Sequence, residues 1–458
     1  MSFQKVSYIA IVFFFFCGLY KISEPPLDRH SWRQAFTIGV SKEFVNHPNV
    51  FFPRTIIGGE LNIVASVFPF YNYLLYVFYK ILGYDHWYGR LLSWCIACIG
   101  YIFFFLLLRK FYTEKISFLA MLSLMFSITS TFARKSMPDV FCLSVGMIGL
   151  FYISTYLEKG RIWQMLLGIA LLLVCVLNKL PFVNLFPFLL FPILKFEYPI
   201  KRLYLTLTLL GVVLIAAFLW YFLWLPFLLE RYKNPLFFPY SFIDGFVAFA
   251  KNIDTFLLHL SKLTFYNYIT FLISIYGIFI FAKREKGVNI FLFSYVAIFF
   301  LFGIKSGNVM PTHDYYLIPI LPLLSLSAGY AYGILKIKPV YLYSFFVLNL
   351  LPSVMKLYKE TLSLESKMYY LNFSKVCNEY IPKDSLILVN GGQLNPELMF
   401  WTSRRGWSLD NNSFQKTEWL ADYKKKGMTY MVQDKILLST KLNLPVIFEN
   451  DFLIIYKP

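Results

Sequence analysis

Charge is scarce in this chain, and negative charge is scarcest. Only 15% of its 458 residues are charged, against about 25% in a soluble domain. Lys and Arg number 43 and Asp and Glu 25, a formal net charge of +18. With 58% hydrophobic residues, that composition excludes an ordinary water-soluble protein. Cysteine is sparse too. Of Cys17, Cys95, Cys98, Cys142, Cys175 and Cys377, five lie in apolar runs, where a thiol acts as a small hydrophobe. Cys377 stands apart, so a disulfide framework is excluded. The C-x-x-C spacing of Cys95 and Cys98 falls inside an apolar run and reads as core packing. The chain also lacks a Gly-rich phosphate loop in strand–helix context, the His/Cys spacing of a metal site and an internal repeat of the transporter kind.

What is there is a succession of apolar runs of bilayer-spanning length, about 17–25 residues each. Candidate helices cover 6–22, 87–108, 116–133, 138–157, 162–178, 181–195, 203–226, 264–282, 288–304, 314–334 and 339–357. The expected fold is an α-helical polytopic membrane protein with about eleven transmembrane helices. The first run is followed by "KISEPPLD" with no small-residue cleavage site, so it reads as a retained helix. The aromatic segment 69–83 is too short to span easily and reads as an amphipathic helix lying on the membrane surface.

The basic excess follows topology. With a cytoplasmic N-terminus, the short loops after the even-numbered helices carry Arg109, Lys110 and Lys115; Lys159 and Arg161; Lys195, Lys201 and Arg202; Lys283, Arg284 and Lys286; and Lys336 and Lys338. That is the positive-inside pattern, and it is too dispersed for a nucleic-acid groove. The same numbering puts 23–86, 134–138, 179–180, 227–263, 305–313 and everything after 357 outside the cytoplasm. Two domains are expected: a transmembrane domain over 1–357 with a catalytic first outer loop at 23–86, and a small outer α/β domain over 358–458. The second reading rests on turn signals such as "NGG", on the β-rich runs "LILV", "MTYMV", "VIF" and "FLIIY", and on helical patterns near 362–380 and 414–426.

Charges at the rim of membrane spans are costly and mark function. On the outer side they are Asp28, His30 and Arg33; Glu60; Arg90; Arg134 and Asp139; Lys179; Lys305, His313 and Asp314. Carboxylates suit a general base for a hydroxyl or amine, and arginines and lysines suit a phosphate. Apolar helices beside them would take a lipid tail. Together these describe attack on a sugar carried by a lipid phosphate. Each residue also has a structural reading: Asp139 and Asp314 as helix-start carboxylates, Arg90 and Arg134 as snorkelling cations, and Trp32 as part of an aromatic belt.

The blocks "DRHSWRQ" at 28–34, "FFP" at 51–53, "GGE" at 58–60, "FPFYNYLLYVFYKILG" at 68–83 and "YGRL" at 88–91 resemble the polyprenyl-phosphate-dependent glycosyltransferases of the GT-C fold, in the protein mannosyltransferase and aminoarabinose transferase-like branch, family 39. "RKSMPD" at 134–139, "NKLP" at 178–181 and "HDYYLIPILP" at 313–322 are similar to later blocks of the same family. The resemblance implies Asp28 as the catalytic base and Asp139 as a second catalytic acid. It implies His30, Trp32, Arg33, Gln34, Glu60, Arg90, Arg134, Lys179, His313, Asp314 and Tyr315 as substrate-binding residues, with the basic ones on the lipid phosphate. The segment 227–263, with Arg231 and Lys233, resembles the loop that closes over the donor. The family commonly has two adjacent acids at the Asp28 position. Here Arg29 follows, which argues against a metal held by such a pair.

The expected activity is transfer of a sugar, with inversion, from a polyprenyl-phosphate donor to a glycan, lipid or protein acceptor on the outer side of a bacterial-type inner membrane. No cofactor is expected beyond a weak Mg²⁺ or Mn²⁺ site at isolated carboxylates. A transporter or lipid flippase and a non-catalytic scaffold are the alternatives.

Overall fold

The computed structural model describes residues 3–59, 62–234, 240–285, 287–336 and 338–458. The chain is mostly helical with one small sheet. It divides into two compact, discontinuous units: Met1–Ile22, Arg90–Leu223 and Phe237–Thr361 form the first, and Ser23–Gly89, Trp224–Leu236 and Leu362–Pro458 the second.

Among the described residues, five helices are long and apolar enough to cross a membrane: Tyr88–Leu108, Pro138–Lys159, Ile200–Tyr232, Val288–Ser306 and Asp314–Ile334. A sixth candidate is the pair Ile253–Leu263 and Tyr268–Arg284, bent by 99°. The run 339–357 lies within the 22-residue helix Pro339–Glu360, while the other apolar runs are helical but shorter or broken, and the breaks have local causes. The run 116–133 splits where Ser127 turns its hydroxyl back to accept from the Thr129 amide, so Glu114–Met125 ends before Ile128–Ala133 begins. The run 181–195 starts as a 3₁₀ turn over Leu180–Leu189, with Pro187 inside it. Segment 227–263, read from the sequence as a loop, contains the helices Phe242–Lys251 and Ile253–Leu263.

In the first unit, Pro138–Lys159 and Ile162–Asn178 pack as an antiparallel hairpin with glycine facing glycine. A Cβ on Gly149 would lie 2.9 Å from the Gly168 carbonyl oxygen, and one on Gly168 would lie 2.6 Å from Ile153 Cγ1. Small residues let the two backbones approach where apolar burial alone gives no preference.

The second unit joins the first long loop, Ser23–Gly89, to the C-terminal segment. Its loop portion holds two helices, Ser31–Asn46 and Phe70–Leu82, tied by Asn72 Nδ2 donating to the Thr37 carbonyl at 2.8 Å. Ser31–Asn46 carries no amphipathic signature because twelve of its sixteen residues are buried, polar ones included. The C-terminal portion forms a five-stranded mixed sheet from β1 (Leu386–Val389), β2 (Arg405–Ser408), β3 (Met428–Asp434), β4 (Val446–Glu449) and β5 (Leu453–Tyr456), in the order β2-β1-β3-β5-β4. β1 pairs in parallel with β2 and β3, while β5 runs antiparallel to β3 and β4. Strand alternation sends Ile387, Val389, Leu453 and Ile455 to one face, and Leu388, Ile454 and Tyr456 to the other. The first face shares its core with Leu27, Ala35, Ile38, Ile56, Ile57 and Leu75 of the loop. The loop also covers the open edge of β2: Gly58 N donates to Gly406 O at 2.8 Å, and Gly406 N donates to Ile56 O at 3.2 Å.

Candidate active site

The residues singled out in the sequence divide between the two units, and Glu60 lies outside the described residues. In the second unit, "LDRHSWRQ" is a short turn running into the helix Ser31–Asn46. Leu27, Asp28, Arg33 and Gln34 are buried, and His30 and Trp32 are half-buried. The Asp28 backbone opens the helix, its carbonyl accepting from Ser31 N at 3.0 Å. Its side chain is held in place by Gln34 Nε2, which donates to Asp28 Oδ1. His30, between them, sits at φ 66°, the left-handed region, a conformation that side chains other than glycine hold only when their surroundings impose it. Arg33 is 8% exposed, and its Nε has no hydrogen-bond partner among the described residues. Its guanidinium lies 5.2 Å from the Phe36 ring centroid and 6.0 Å from that of Trp32. A buried guanidinium with donor capacity left over suits an anionic oxygen.

In the first unit, three of the quoted sequence blocks converge. Asp139 follows Pro138 at the start of Pro138–Lys159, and Lys179 caps the end of Ile162–Asn178. Their side chains form a buried ion pair, Lys179 Nζ donating to Asp139 Oδ1. Asp139 Oδ2 is buried and has no hydrogen-bond partner among the described residues. Lys179 Nζ also stands 4.4 Å from the Tyr315 ring centroid and 5.1 Å from that of Tyr316, within cation–π range. Tyr315 in turn meets His313 at 5.4 Å and Phe132 at 5.9 Å between ring centroids. So "RKSMPD", "NKLP" and "HDYY" make one cluster. Arg134 is buried and donates to the Tyr20 carbonyl at 2.5 Å. Asp314 and Arg90 are buried as well, and His313 is half-buried. Lys305 donates to the Tyr240 carbonyl at 2.5 Å.

Several charged groups escaped the sequence reading. Lys135, 1% exposed, pairs with Glu360 at 3.4 Å, and Lys356 reaches the other oxygen of Glu360 at 2.7 Å. Lys135 sat inside a quoted block, and its place beside Arg134 at the rim of an apolar run was the signal available. Lys367 and Glu397 pair at 2.7 Å in the second unit. No spacing in the sequence links them.

Among the described residues, no three His, Cys, Asp or Glu side chains group to hold a metal ion. An open cavity of about 500 Å³ lies elsewhere in the first unit, lined by Arg109, Lys110, Tyr112, Glu285 and Tyr330 among others. Those residues belong to the loops read as cytoplasmic and to helix ends beside them.

No protein-family profile matches the chain, and no curated protein sequence does. Solved structures do resemble it. ArnT from Cupriavidus metallidurans bound to undecaprenyl phosphate matches with a TM-score of 0.62 at 14% identity, over 97% of each chain. The oligosaccharyltransferase of Archaeoglobus fulgidus in complex with zinc and sulfate matches with a TM-score of 0.55 at 11% identity, over 93% of this chain and 67% of that one. The archaeal oligosaccharyltransferase AglB from Archaeoglobus fulgidus, in complex with an inhibitory peptide and a dolichol-phosphate, matches with a TM-score of 0.54 at 10% identity, over 93% of this chain and 69% of that one. At such identity the likeness is one of fold. The chain shares the fold of ArnT along nearly its whole length.

Proposed function

We propose that the protein is a membrane glycosyltransferase that moves a sugar from a polyprenyl-phosphate donor to an acceptor hydroxyl or amine on the outer side of the membrane. The observation that carries this reading is the whole-length likeness of fold to ArnT, an aminoarabinose transferase solved with undecaprenyl phosphate. The likeness to AglB, solved with a dolichol-phosphate, supports the same donor class. The buried polar groups support it from the chemical side, because a chain this apolar keeps costly charges only where they have work.

In this reading Asp28 is the general base, its orientation fixed by Gln34. It takes the acceptor's proton as the acceptor atom attacks the anomeric carbon. The bond from that carbon to the phosphate oxygen breaks, and the polyprenyl phosphate leaves with its electron pair. A single displacement inverts the anomeric centre. Arg33, Arg134 and Lys179 stabilise the charge that builds on the departing phosphate, the electrostatic contribution that usually dominates such steps. Asp139 keeps Lys179 in place. His30, Trp32, Arg90, His313, Asp314 and Tyr315 are the further residues assigned to sugar and lipid binding in this reading. The reading needs no resident cofactor, and a weak Mg²⁺ or Mn²⁺ site would appear as sensitivity to chelators.

The test is purified protein with a panel of radiolabelled polyprenyl-phosphate sugars, scored for transfer and for hydrolysis. Asp28→Asn should abolish transfer while donor binding persists. If no donor is used by the wild type, or if D28N turns over normally, the enzymatic reading fails in favour of a lipid transporter or scaffold. Cysteine labelling that put 23–59 on the cytoplasmic side would also overturn the outer-side assignment.

A further inference from the structure

The first outer loop and the segment that opens the C-terminal portion are stitched together on both sides of Asp28. Ser363 Oγ donates to the Pro25 carbonyl at 3.0 Å. Leu364 N donates to the Leu27 carbonyl at 3.1 Å. Lys367 Nζ donates to Ser31 Oγ at 2.9 Å and to both carboxylate oxygens of Glu397 at 2.7 and 2.8 Å. Five residues, Ser363 to Lys367, thus reach Pro25, Leu27 and Ser31, leaving Asp28 between the second and third anchors.

The turn needs such support. Residues 23–30 have no regular secondary structure to set their backbone, and His30 holds a left-handed conformation at φ 66°. Ser31, directly after it, is the residue that Lys367 grips. Lys367 is itself braced. Glu397 is buried, and its amide donates to Asn395 Oδ1 at 2.9 Å at the start of the helix Pro396–Thr402. That helix packs on Ser31–Asn46. The ion pair therefore links two fixed points, the start of the helix after Asp28 and the start of a helix in the C-terminal portion.

We infer that segment 363–367 is a clamp that sets the position of Asp28, with Lys367 as its positioning residue. This rests on the reading of Asp28 as the general base. It gives the C-terminal portion a role in the chemical step, besides any role in holding acceptor. Lys367 touches Ser31 and Glu397, so its effect on the reaction runs through the geometry of the turn. A misplacement of about 1 Å at a reacting group costs on the order of 100-fold in rate.

The experiment uses the full-length protein in detergent with two independent readouts: transfer kinetics with a polyprenyl-phosphate sugar, and hydrogen exchange of amides 27–33. Lys367→Met should lower kcat by about 10- to 100-fold, leave KM for the donor unchanged and speed exchange at Leu27 to Arg33. Lys367→Arg, which still donates to Ser31 and Glu397, should recover most of the rate. Ser363→Ala, which removes a separate stitch, should move both readouts the same way by less. Normal kcat in K367M overturns the clamp, whatever the exchange shows. A lowered kcat with unchanged exchange overturns it too, because the turn would not have moved. A wild type inactive on every donor defeats the functional reading instead, and the exchange arm then decides whether the clamp exists.

Discussion

Lys179 and Asp139 show what the chain spends on its candidate site. Both are buried, and each reaches its position from a different helix end. Burial strips water from both ions, and their mutual attraction only roughly offsets that loss. Removing one partner is therefore worse than removing both. Lys179→Met should destabilise the protein by about 3–5 kcal/mol by leaving a lone buried carboxylate, read as a fall in unfolding midpoint in detergent. Lys179→Met with Asp139→Leu should regain most of that stability yet stay inactive in transfer. A double variant as unstable as the single one would mean that the pair is not what the stability depends on. Cys377 gives a simpler residue-scale outcome. Its thiol is fully buried, and burial pushes it up to about 12. It should resist alkylation at pH 8 in the folded protein and react once the protein is unfolded, as mass spectrometry would show. The legibility of residues follows the same physics. Asp28, Arg33, Asp139 and Lys179 stand out in the sequence because charge is rare there. Lys367 and Glu397 do not, because the C-terminal segment is rich in charge and only folding selects the pair.

Among the elements, periodicity and composition reveal what is continuous and hide what is irregular. The helices Tyr88–Leu108, Pro138–Lys159 and Val288–Ser306 follow directly from unbroken apolar runs. Strands β1, β3, β4 and β5 match the β-rich runs read from the sequence. β2 was missed because "RGWS" has neither alternation nor β-branched residues. The helix Ser31–Asn46 was missed because burial on nearly every side erases amphipathic period. What makes β2 possible is Gly406. Its φ is +149°, and a Cβ there would lie 1.8 Å from the Ile387 carbonyl oxygen of β1. Gly406 also carries both hydrogen bonds that dock the first loop on the sheet edge. Gly406→Ala should cost at least the ~1–3 kcal/mol of a strained backbone position and loosen residues 56–58 as well as β2, measured by hydrogen exchange. Loosening confined to β2 would show that the loop docks by other means. In the first unit, Gly168→Leu should separate Pro138–Lys159 from Ile162–Asn178, because its side chain would enter Ile153 and the Gly149 carbonyl. The readout is a lower unfolding midpoint, and an unchanged midpoint would mean that the hairpin tolerates a wider spacing.

For the whole chain, the boundary that composition suggests near 357 is not where the hydrophobic core of the second unit divides. Leu27, Ala35, Ile38, Ile56, Ile57, Leu75 and Tyr79 come from the first loop, and Phe373, Cys377, Ile387, Val389, Leu398, Val432 and Ile455 come from the C-terminal segment, all in one buried cluster. Sequence reading works on neighbours along the chain, so it separates these halves. The core is made of residues more than 280 positions apart, and no local pattern announces that. The consequence is that neither half has a complete apolar interior alone. Expressed by itself, 362–458 should expose the face of β1 and β5 that carries Ile387, Val389, Leu453 and Ile455, and should aggregate or bind a hydrophobic dye. A chain ending at 361 should still insert its apolar helices, but amides in Ser31–Asn46 and Phe70–Leu82 should lose protection against exchange. Adding the separate 362–458 segment to that truncated chain should restore protection if the two portions find each other. A soluble, dye-silent 362–458 with a cooperative unfolding transition would overturn this account, because it would show that the sheet needs no help from the first loop.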